Sequence, residues 1–377
     1  MRILQVSPYF APHAGGVESH VRAVSAELLR RGHTVSVLTS RYDRSLPAHE
    51  EIDGIPVYRA RTRAVLFQTP LDTGVGRAIS ETPADVVHLH YPPPLTSFFA
   101  TRWLARRPVP TCLTYHCDLY LAGPAGRVLT RLYERLFLPQ TLDRVRRIVV
   151  HTRSYGLTSR PLRGRALTVI PSAVDLTRFH PEVDGSAVRE QLGLSDARVL
   201  AFTGRLVPHK GVDLIVRALP DLPSDVKLLV VGRGPRLPEL YALARRLGVD
   251  ERIRFCPDVS DADLPKYLRA ADVFVFPSQN RLEGFGLVVA EALAAGLPVV
   301  IADMPGVREV IEPGVQGVLV EPMIQHDLVA KLRELLDDAP RRRAMARAAR
   351  QRAEERFGLG PVVDQLTQLY RDLSAAG

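Results

Sequence analysis

The sequence predicts an α/β protein of two domains, each a doubly wound parallel sheet covered by helices. The length of 377 residues exceeds one ordinary domain. Two series of short apolar strands alternate with helical stretches. Between them lies "PSAVDLTRFHPEVDGSA", which is rich in proline, aspartate and serine, as linkers are. We therefore expect an N-terminal domain over 1–172, a C-terminal domain over 173–356 and a final helix over 357–377.

The first series opens with a βαβ unit. Its strands read "RILQVS" and "TVSVLTS", and the helix between them has apolar residues at helical spacing and ends at Gly32. Further strands read "DVVHLHY", "TCLTYH", "RIVVHT" and "LTVIPS". Several are apolar on both faces, which is typical of a parallel sheet with helices on each side.

The second series repeats the alternation. Its strands read "RVLAFTG", "VKLLVVG", "IRFCP", "DVFVFPS", "PVVIAD" and "GVLVEP". Helical stretches separate most of them, so we expect a second doubly wound sheet. The chain from Ala339 onward is helical and strongly basic, which is typical of a solvated helix face.

Composition indicates a folded, cytoplasmic enzyme. Hydrophobic residues make up 46% of the chain, which excludes disordered and fibrous classes. No stretch of 18 apolar residues is free of charge, and the N-terminus lacks the apolar segment of a signal peptide. Three cysteines are an odd and sparse set, so we expect reduced thiols and no disulfide.

The positive charge lies in the first half of the chain. Residues 1–170 contain 23 arginines, no lysine and 12 acidic residues, a net charge of +11, whereas the whole chain carries +9. Such an excess suits nucleic acid, an anionic membrane surface or an anionic substrate, and arginine-rich solvated faces explain it equally well.

Glycines and polar residues stand just after predicted strands in both halves. Ligands of open α/β sheets bind at the carboxyl ends of the strands, so the pattern predicts a cleft between two domains. The residues concerned are Gly15, Gly16, His116, Arg205, Lys210, Gly232, Gly234 and Glu283.

Two glycine-framed motifs suit phosphate. In "HAGGVE", two glycines before a helix let backbone N–H groups approach an anion; a flexible turn is the alternative. In "GRLVPHKG", two cations five residues apart suit a diphosphate; ordinary surface cations are the alternative.

Two other site classes have weaker support. The stretch "VVGRGP" resembles a dinucleotide fingerprint, but Leu237 stands where the third glycine belongs, which argues against a nicotinamide-dependent dehydrogenase. A metal site is also disfavoured, because no pair among the candidate ligands has structural-zinc spacing. Those candidates are His88, His90, Cys112, His116, Cys117 and Asp118.

The stretch "EGFGLVVAE" places two carboxylates around a predicted helix over 285–295. N–H groups near Phe285, Gly286 and Leu287 would donate to phosphate oxygens. Glu283, in the preceding loop, would accept sugar hydroxyls, and Glu291, about two turns in, would accept ribose hydroxyls. The stretch therefore predicts a site for a nucleoside diphosphate sugar.

These motifs together resemble family 4 of the retaining glycosyltransferases, the group 1 type that includes glycogen synthase and mannosyltransferases. "EGFGLVVAE" followed by "ALAAGLPVV" is similar to its signature, and "GGVE", "YHCD", "GRLVPHKG" and "VFVFPS" agree with it in order. The resemblance implies the GT-B architecture: two Rossmann-like domains facing a cleft, with a last helix that crosses back. It implies a UDP- or GDP-sugar donor held mainly by the second domain, and an acceptor held mainly by the first.

The resemblance also implies roles for single residues. Arg205 and Lys210 would hold the donor diphosphate, Glu283 the transferred sugar and Glu291 the ribose, with His116 beside the sugar. Gly16 would bring a backbone amide to the phosphate. One motif departs from the family pattern, because "PSAVD" replaces Pro-Asn-Gly-Val-Asp, which leaves any role of that Asn-Gly pair in doubt here.

The expected reaction retains the anomeric configuration without a metal. Nothing besides Glu283 competes for the role of a nucleophilic carboxylate, and the resemblance makes Glu283 a sugar binder. We therefore expect front-face substitution, in which Arg205, Lys210 and the helix N-terminus stabilise the leaving diphosphate. With the leaving group stabilised in this way, no divalent metal is expected. No cofactor is expected either, because the nucleotide sugar is a co-substrate.

Alternatives differ in partner and acceptor. A sugar synthase or phosphorylase, or a glycosyltransferase acting on a natural product or thiol-cofactor precursor, would share this fold. A nucleic-acid binder would explain the charge but not the paired glutamates, so no nucleic acid is expected. The acceptor hydroxyl is unknown, and a lipid-linked acceptor is one candidate.

A membrane surface is a further candidate partner. In "GRVLTRLYERLFLPQTLDRVRR", drawn as a helix, Arg127, Arg131 and Arg135 form one stripe and apolar residues form another. This is the pattern of an interfacial helix, which would make the protein peripheral on the inner face of a membrane. A core-facing helix with solvated arginines shows the same pattern.

Overall fold

The computed structural model describes residues 1–13, 15–106, 109–121 and 123–375. Its contacts divide the chain into two compact units, one formed by Met1–Ala173 with Leu359–Gly377 and the other by Val174–Gly358. Each unit is built on a mainly parallel sheet. The predicted α/β class with two doubly wound sheets is confirmed.

The N-terminal unit contains an eight-stranded sheet in the order β10-β9-β8-β7-β1-β2-β4-β3 and a separate β5–β6 hairpin. All pairs in the large sheet are parallel except β3 with β4. The strands are β1 Arg2–Val6, β2 Thr34–Ser40, β3 His49–Ile52, β4 Ile55–Ala60, β5 Val65–Leu66, β6 Thr69–Pro70, β7 Val86–Tyr91, β8 Thr111–Tyr115, β9 Arg147–Val150 and β10 Leu167–Val169.

Six helices lie among the described residues of 1–173. They are α1 Gly16–Arg30, α2 Val75–Glu81, α3 Pro94–Leu104, α4 Gly123–Leu136, α5 Leu138–Leu142 and α6 Arg153–Thr158. The stretch predicted as one amphipathic helix is divided at Phe137, between α4 and α5.

The antiparallel hairpin β3–β4 was not predicted. Asp53 and Gly54 connect its strands with φ angles of 53° and 76°. Positive φ at both central residues is typical of the tight turns that Asp-Gly favours. The dipeptide between "HEEI" and "IPVYRA" was therefore a usable signal in the sequence.

The C-terminal unit contains a six-stranded parallel sheet in the order β13-β12-β11-β14-β15-β16. Its strands are β11 Arg198–Thr203, β12 Val226–Val231, β13 Ile253–Cys256, β14 Val273–Phe276, β15 Val299–Ala302 and β16 Gly317–Val320. All six were predicted. In order of sequence this is the 3-2-1-4-5-6 arrangement of dinucleotide-binding folds, with its switch point between β11 and β14.

Seven helices cover this sheet. They are α7 Ser186–Gln191, α8 Val212–Ala218, α9 Leu237–Arg246, α10 Leu264–Arg269, α11 Leu287–Ala294, α12 Gln325–Asp337 and α13 Ala339–Arg352. Short 3-10 turns lie at Arg160–Leu162, Pro208–Lys210, Leu219–Asp221, Asp250–Arg252 and Val307–Val310, and a π-helical turn at Ala353–Phe357.

The last helix, α14, spans Leu359–Ala375 and packs in the N-terminal unit. Its apolar face joins a core formed with α1 and one face of the sheet, where Val362, Val363 and Tyr370 are fully buried. Arg31 at the end of α1 pairs with Asp364 and donates to the carbonyl of Gly360.

No described helix is long and apolar enough to cross a bilayer. All three cysteines lie in described parts of the chain and are free thiols.

Candidate functional site

The switch point of the C-terminal sheet brings together the loops that follow β11 and β14. Arg205 lies just after β11, and Glu283 lies in the loop after β14. Ligands of such sheets bind outside the carboxyl ends of the strands where the strand order reverses. The predicted donor-binding residues of this unit therefore lie where the topology favours a ligand.

Lys210 and Glu283 form an ion pair at this point. Both side chains are largely buried, with 13% and 14% of their surfaces exposed. The Lys210 ammonium also lies 4.8 Å from the centroid of the Phe276 ring, at the end of β14. A cation and a carboxylate, 73 residues apart in sequence, are thus held together beneath the surface.

A glycine lets the loop carrying Lys210 lie against the end of β14. Gly211 ends the 3-10 turn with φ 72°, and a Cβ there would stand 2.2 Å from the carbonyl oxygen of Pro277. The carbonyl of His209 accepts hydrogen bonds from the Gln279 N–H at 2.8 Å and the Ser278 hydroxyl at 3.2 Å. The two loops are therefore joined by backbone contacts as well as by the ion pair.

His209 is a member of this site that sequence reasoning missed. Burial, followed by the charge of Lys210, lowers the pKa of His209 to about 4, so the ring is neutral at physiological pH. Arg205 is exposed and faces solvent.

Gly232 and Gly234 lie where the loop after β12 closely approaches the loop after β11. A Cβ on Gly232 would stand 2.2 Å from the carbonyl oxygen of Gly204, and one on Gly234 would stand 2.3 Å from that of Leu206. These glycines let the loop after β12 lie against the loop after β11, which carries Arg205.

Helix α11 begins two residues later than predicted. Gly286 is its N-terminal cap residue, with φ 81°, and Phe285 is buried in edge contact with Phe357 at 5.5 Å. The helix therefore starts at Leu287, and Glu291 lies about one turn in, not two. The backbone N–H groups at this start, including those of Gly286 and Leu287, belong to the first turn, which lacks intrahelical acceptors.

Glu291 has a perturbed acidity. Burial raises the pKa of Glu291 to about 7, the charge of Arg178 opposes this rise, and that of Asp261 adds to it. Arg178 donates to the carbonyl of Asp261. A carboxyl group poised near neutral pH is typical of functional sites.

The remaining predicted residues belong to the N-terminal unit. Gly15 precedes α1 and Gly16 begins it, and Glu18 in the first turn bonds His13 Nδ1 at 2.8 Å. The neighbouring Ala14 lies outside the described residues. Gly15 has an extended conformation, with φ −177°, that any residue adopts.

His116 lies in a cluster of five histidines. It follows β8 directly, and its ring contacts those of His90 and His151 at 3.0 and 2.9 Å. His20 packs edge-on against the same rings, with centroids 5.4 to 6.2 Å apart. His88 lies beside His90 at 4.5 Å.

The residues considered as metal ligands have other contacts. His88 bonds Tyr370 and Thr114, Cys112 is buried in the core, and Asp118 accepts from Tyr115. Among the described residues, no group of three or more histidine, cysteine or acidic side chains is arranged to hold a metal ion.

Sequence comparison identifies both halves. Residues 186–352 match the family described as glycosyl transferases group 1, and residues 14–178 match glycosyltransferase family 4. The chain is 32% identical over 92% of its length to a GDP-mannose-dependent α-(1-6)-phosphatidylinositol monomannoside mannosyltransferase of Mycolicibacterium smegmatis, of which it covers 92%. The chain belongs to the group 1 glycosyltransferases.

Other relatives of this glycosyltransferase share the fold or the chemistry. A D-inositol 3-phosphate glycosyltransferase of Xylanimonas cellulosilytica is 34% identical over 95% of the chain and 91% of its own length. A sucrose-phosphate synthase of Thermosynechococcus elongatus has the same fold, with a TM-score of 0.85, 23% identity and complete coverage of both chains. Anabaena Alr3699/HepE, solved in complex with UDP-glucose, gives 0.83 at 23% identity, covering 99% and 100%.

The predicted family, the GT-B fold and sugar transfer from a nucleotide sugar are therefore confirmed. The chain transfers a sugar from a nucleotide sugar to a hydroxyl acceptor.

Proposed function

We propose that this glycosyltransferase retains the anomeric configuration of the transferred hexose and works without a metal or other cofactor. The observation that carries the proposal is the set of groups at the switch point. Arg205 and Lys210 follow β11, and Glu283 follows the neighbouring strand β14 and precedes α11 in the chain. Cations and a helix N-terminus supply the charge stabilisation that a divalent metal supplies elsewhere.

In this proposal the ion pair opens for the donor. The diphosphate attracts Lys210 and Arg205 and the first N–H groups of α11, while Glu283 is left to accept hydroxyls of the sugar. Glu291 accepts ribose hydroxyls, Gly232 shapes the loop beneath the diphosphate, and the backbone N–H of Gly16 donates to a phosphate oxygen. His116 lies beside the sugar.

The proposed step is a front-face substitution. The bond from the anomeric carbon to the diphosphate oxygen breaks, and the bond to the acceptor oxygen forms on the same face. The departing diphosphate oxygen takes the acceptor proton, so no separate base is needed. Arg205 and Lys210 stabilise the charge that grows on the leaving group.

We further propose an acceptor that carries an inositol phosphate. The support is that two relatives are named for phosphatidylinositol monomannoside and for inositol 3-phosphate, which share this group. GDP-mannose is the first donor to test, followed by UDP-hexoses.

Product analysis tests these proposals. The protein is incubated with each donor and with inositol 3-phosphate or phosphatidylinositol vesicles, with and without excess EDTA. We expect a product whose NMR coupling shows the donor's anomeric configuration, formed at the same rate with EDTA. An inverted product contradicts retention, and a rate restored only by added Mg²⁺ contradicts metal independence.

A peripheral membrane site on α4 is a second proposal, supported by the exposure of that helix. Within this described helix only Gly126 is buried. Its apolar stripe is exposed, which favours the interfacial interpretation over the core-facing alternative, although Tyr133 on the same helix packs against the core. The exposed fractions of the apolar side chains on α4, and of Phe137 directly after it, are 55% for Val128, 43% for Leu129, 48% for Leu132, 51% for Leu136 and 42% for Phe137.

Charge favours an anionic lipid surface as the occupant. Arg127, Arg131 and Arg135 are exposed on the same helix. Each basic residue near such a surface contributes about 1 kcal/mol, and salt screens this attraction. An amphipathic helix with exposed apolar and basic residues therefore suits reversible binding.

Vesicle sedimentation tests the membrane proposal. We expect co-sedimentation with vesicles containing phosphatidylglycerol at low salt and release at high salt. Arg127, Arg131 and Arg135→Glu should abolish it. Arg245, Arg246 and Arg343→Glu makes the same charge change on exposed residues of the other unit and should retain it. Equal loss in both triple variants would leave net charge, not α4, as the cause and would contradict the proposal.

A further inference from the structure

Five neighbouring strands of the N-terminal sheet each contribute one group to a hydrogen-bond chain, either from the strand itself or from the residue directly after it. The strands are β1, β7, β8, β9 and β10, in the order in which they lie in the sheet. Since adjacent strands lie about 4.8 Å apart, one side chain per strand at a common level can bridge them. The groups, in the same order, are Gln5, His90, His116, His151 and the carbonyl of Ile170, joined at 2.9, 3.0, 2.9 and 3.0 Å.

The chain extends beyond Gln5 to the C-terminal helix. The Gln5 amide lies 3.3 Å from the Tyr370 hydroxyl, which lies 2.7 Å from His88 Nδ1. His88 Nε2 lies 2.7 Å from the Thr114 hydroxyl. These side chains are buried, so each hydrogen bond must be satisfied within the protein.

The Ile170 carbonyl fixes the direction of the chain. A carbonyl oxygen only accepts, so His151 Nδ1 carries a proton. A neutral His151 then accepts at Nε2 from His116 Nδ1–H. His116 in turn accepts at Nε2 from His90 Nδ1–H.

Counting protons assigns the other end. The chain from Gln5 to Ile170 has four hydrogen bonds, and three neutral rings supply only three protons for them. If a carbonyl oxygen stood at each end, the fourth proton would also have to come from a ring, and that ring would be an imidazolium. If Gln5 instead turns its amide NH2 toward His90 and its oxygen toward Tyr370, every group is satisfied with neutral rings. Tyr370 then donates to Gln5 and accepts from His88.

Burial favours the neutral arrangement. It lowers the pKa of His88 to about 3 and that of His151 to about 4, and it holds the pKa values of His90 and His116 well below the ordinary value. Neighbouring histidine charges would add to this effect.

We propose that His90 and His151 are positioning residues that hold the ring of His116 in the Nδ1–H tautomer, with both ring nitrogens engaged. The proposal rests on the proposed role of His116 beside the transferred sugar. A ring held from both sides has its rotation and tautomer set before the donor arrives. The site then needs no reorganisation of this ring during the reaction.

Nitrogen NMR tests the tautomer independently of activity. Long-range proton–nitrogen spectra of protein labelled with 15N-histidine are recorded at pH 7.5 and assigned with single histidine variants. We expect the Nδ1–H tautomer at His90, His116 and His151. An Nε2–H tautomer at His116, or an imidazolium at His151, overturns the assignment.

Two variants of His151 separate its two hydrogen bonds. His151→Gln keeps an acceptor near the Nε2 position, toward His116, whereas His151→Asn keeps a donor near the Nδ1 position, toward Ile170. We expect His151→Gln to retain the His116 tautomer and kcat within about threefold. His151→Asn should lose the tautomer and lower kcat about tenfold, with donor KM unchanged, since one positioning hydrogen bond is lost.

The outcomes separate this inference from the proposed function. A purely structural role predicts equal loss in both His151 variants, or an unchanged His116 tautomer in His151→Asn, and either result overturns the inference. Full activity of His116→Ala would instead contradict the proposed role of His116. In that case the NMR result still decides whether the chain orders its protons as proposed.

Discussion

At the scale of single residues, the ion pair between Lys210 and Glu283 links stability with catalysis. Each side chain is largely buried and has the other as its partner. Removing one partner leaves a desolvated charge, which is more costly than removing both. Arg205, by contrast, is exposed, so its loss should affect only the reaction.

The first prediction compares these cations. Arg205→Ala and Lys210→Ala should each lower kcat by ~10²- to 10³-fold, as the loss of one charge-stabilising donor does. Only Lys210→Ala should also lower Tm. The double variant Lys210→Met with Glu283→Gln should recover Tm but not activity. Scanning calorimetry and initial rates measure both, and normal turnover in a folded single variant would contradict the placement of the diphosphate.

The second prediction concerns Glu291 and pH. Its folded pKa of about 7 lies above the ordinary value of 4.5, so the folded state binds the proton more tightly than the unfolded state. Its effect on stability is therefore favourable at low pH and is lost as pH rises from about 4.5 to 7. Glu291→Gln removes this dependence.

We expect Glu291→Gln to raise Tm relative to the wild type at pH 8 and to leave the difference near zero at pH 4. Each kcal/mol of destabilisation that the substitution removes raises Tm by roughly 2–4 °C for a unit of this size. Calorimetry at the two pH values measures it. A variant that gains equally at both pH values would show that the carboxyl does not titrate as described.

Sequence reasoning predicted some of these residues and missed others for a physical reason. Glu283 and Lys210 stood in motifs, and the fold brings them into contact. The histidine chain depends on the order β10-β9-β8-β7-β1, which no local pattern specifies. His88 and His90 lie two residues apart on one strand, and His116 and His151 each directly follow a strand. These four histidines become neighbours only when the strands take their order in the sheet.

At the scale of elements, the strands were predictable because those of a covered parallel sheet are short, apolar and closely spaced along the chain. All six strands of the C-terminal sheet were found from this pattern. The β3–β4 hairpin escaped because its first strand is polar and largely exposed. The start of α11 was misplaced because Gly286 adopts a left-handed conformation before the first helical residue.

The third prediction compares two glycines with left-handed backbones. Gly211→Ala adds a Cβ 2.2 Å from the Pro277 carbonyl, whereas Gly248→Ala meets nothing within 4 Å. Both substitutions carry a backbone cost of about 1–2 kcal/mol. Only Gly211→Ala should also displace the turn that carries Lys210 and lower kcat at least tenfold.

Thermal unfolding and steady-state rates measure the two glycine variants side by side. Gly248→Ala is the matched control for backbone strain and should retain wild-type kcat. Equal kinetic loss in both variants would mean that strain alone, and not the contact with Pro277, affects activity.

At the scale of the whole molecule, the N-terminal unit is assembled from two separate stretches of chain. Residues 174–358 lie between them in sequence and form a unit with its own core. Helix α14 buries its apolar face against α1 and the sheet, and Tyr370 on it joins the hydrogen bonds of His88 and Gln5.

The fourth prediction follows from this assembly. A chain ending at Gly358 should lose cooperative unfolding of the N-terminal unit and bind a hydrophobic dye, because α14 covers apolar side chains that would meet water. The C-terminal unit should retain its protection from hydrogen exchange. Native exchange in both units of the truncated chain would contradict the role given to α14.

The split N-terminal unit also has a consequence for synthesis on the ribosome. Residues 1–173 emerge before residues 174–358, yet part of their core is covered by α14, which is made after both. At 5–20 residues per second, the intervening unit takes roughly 10–40 s to translate. During that interval part of one apolar face of the first sheet is uncovered, whereas the later unit has all of its own residues and can fold before the first unit is complete.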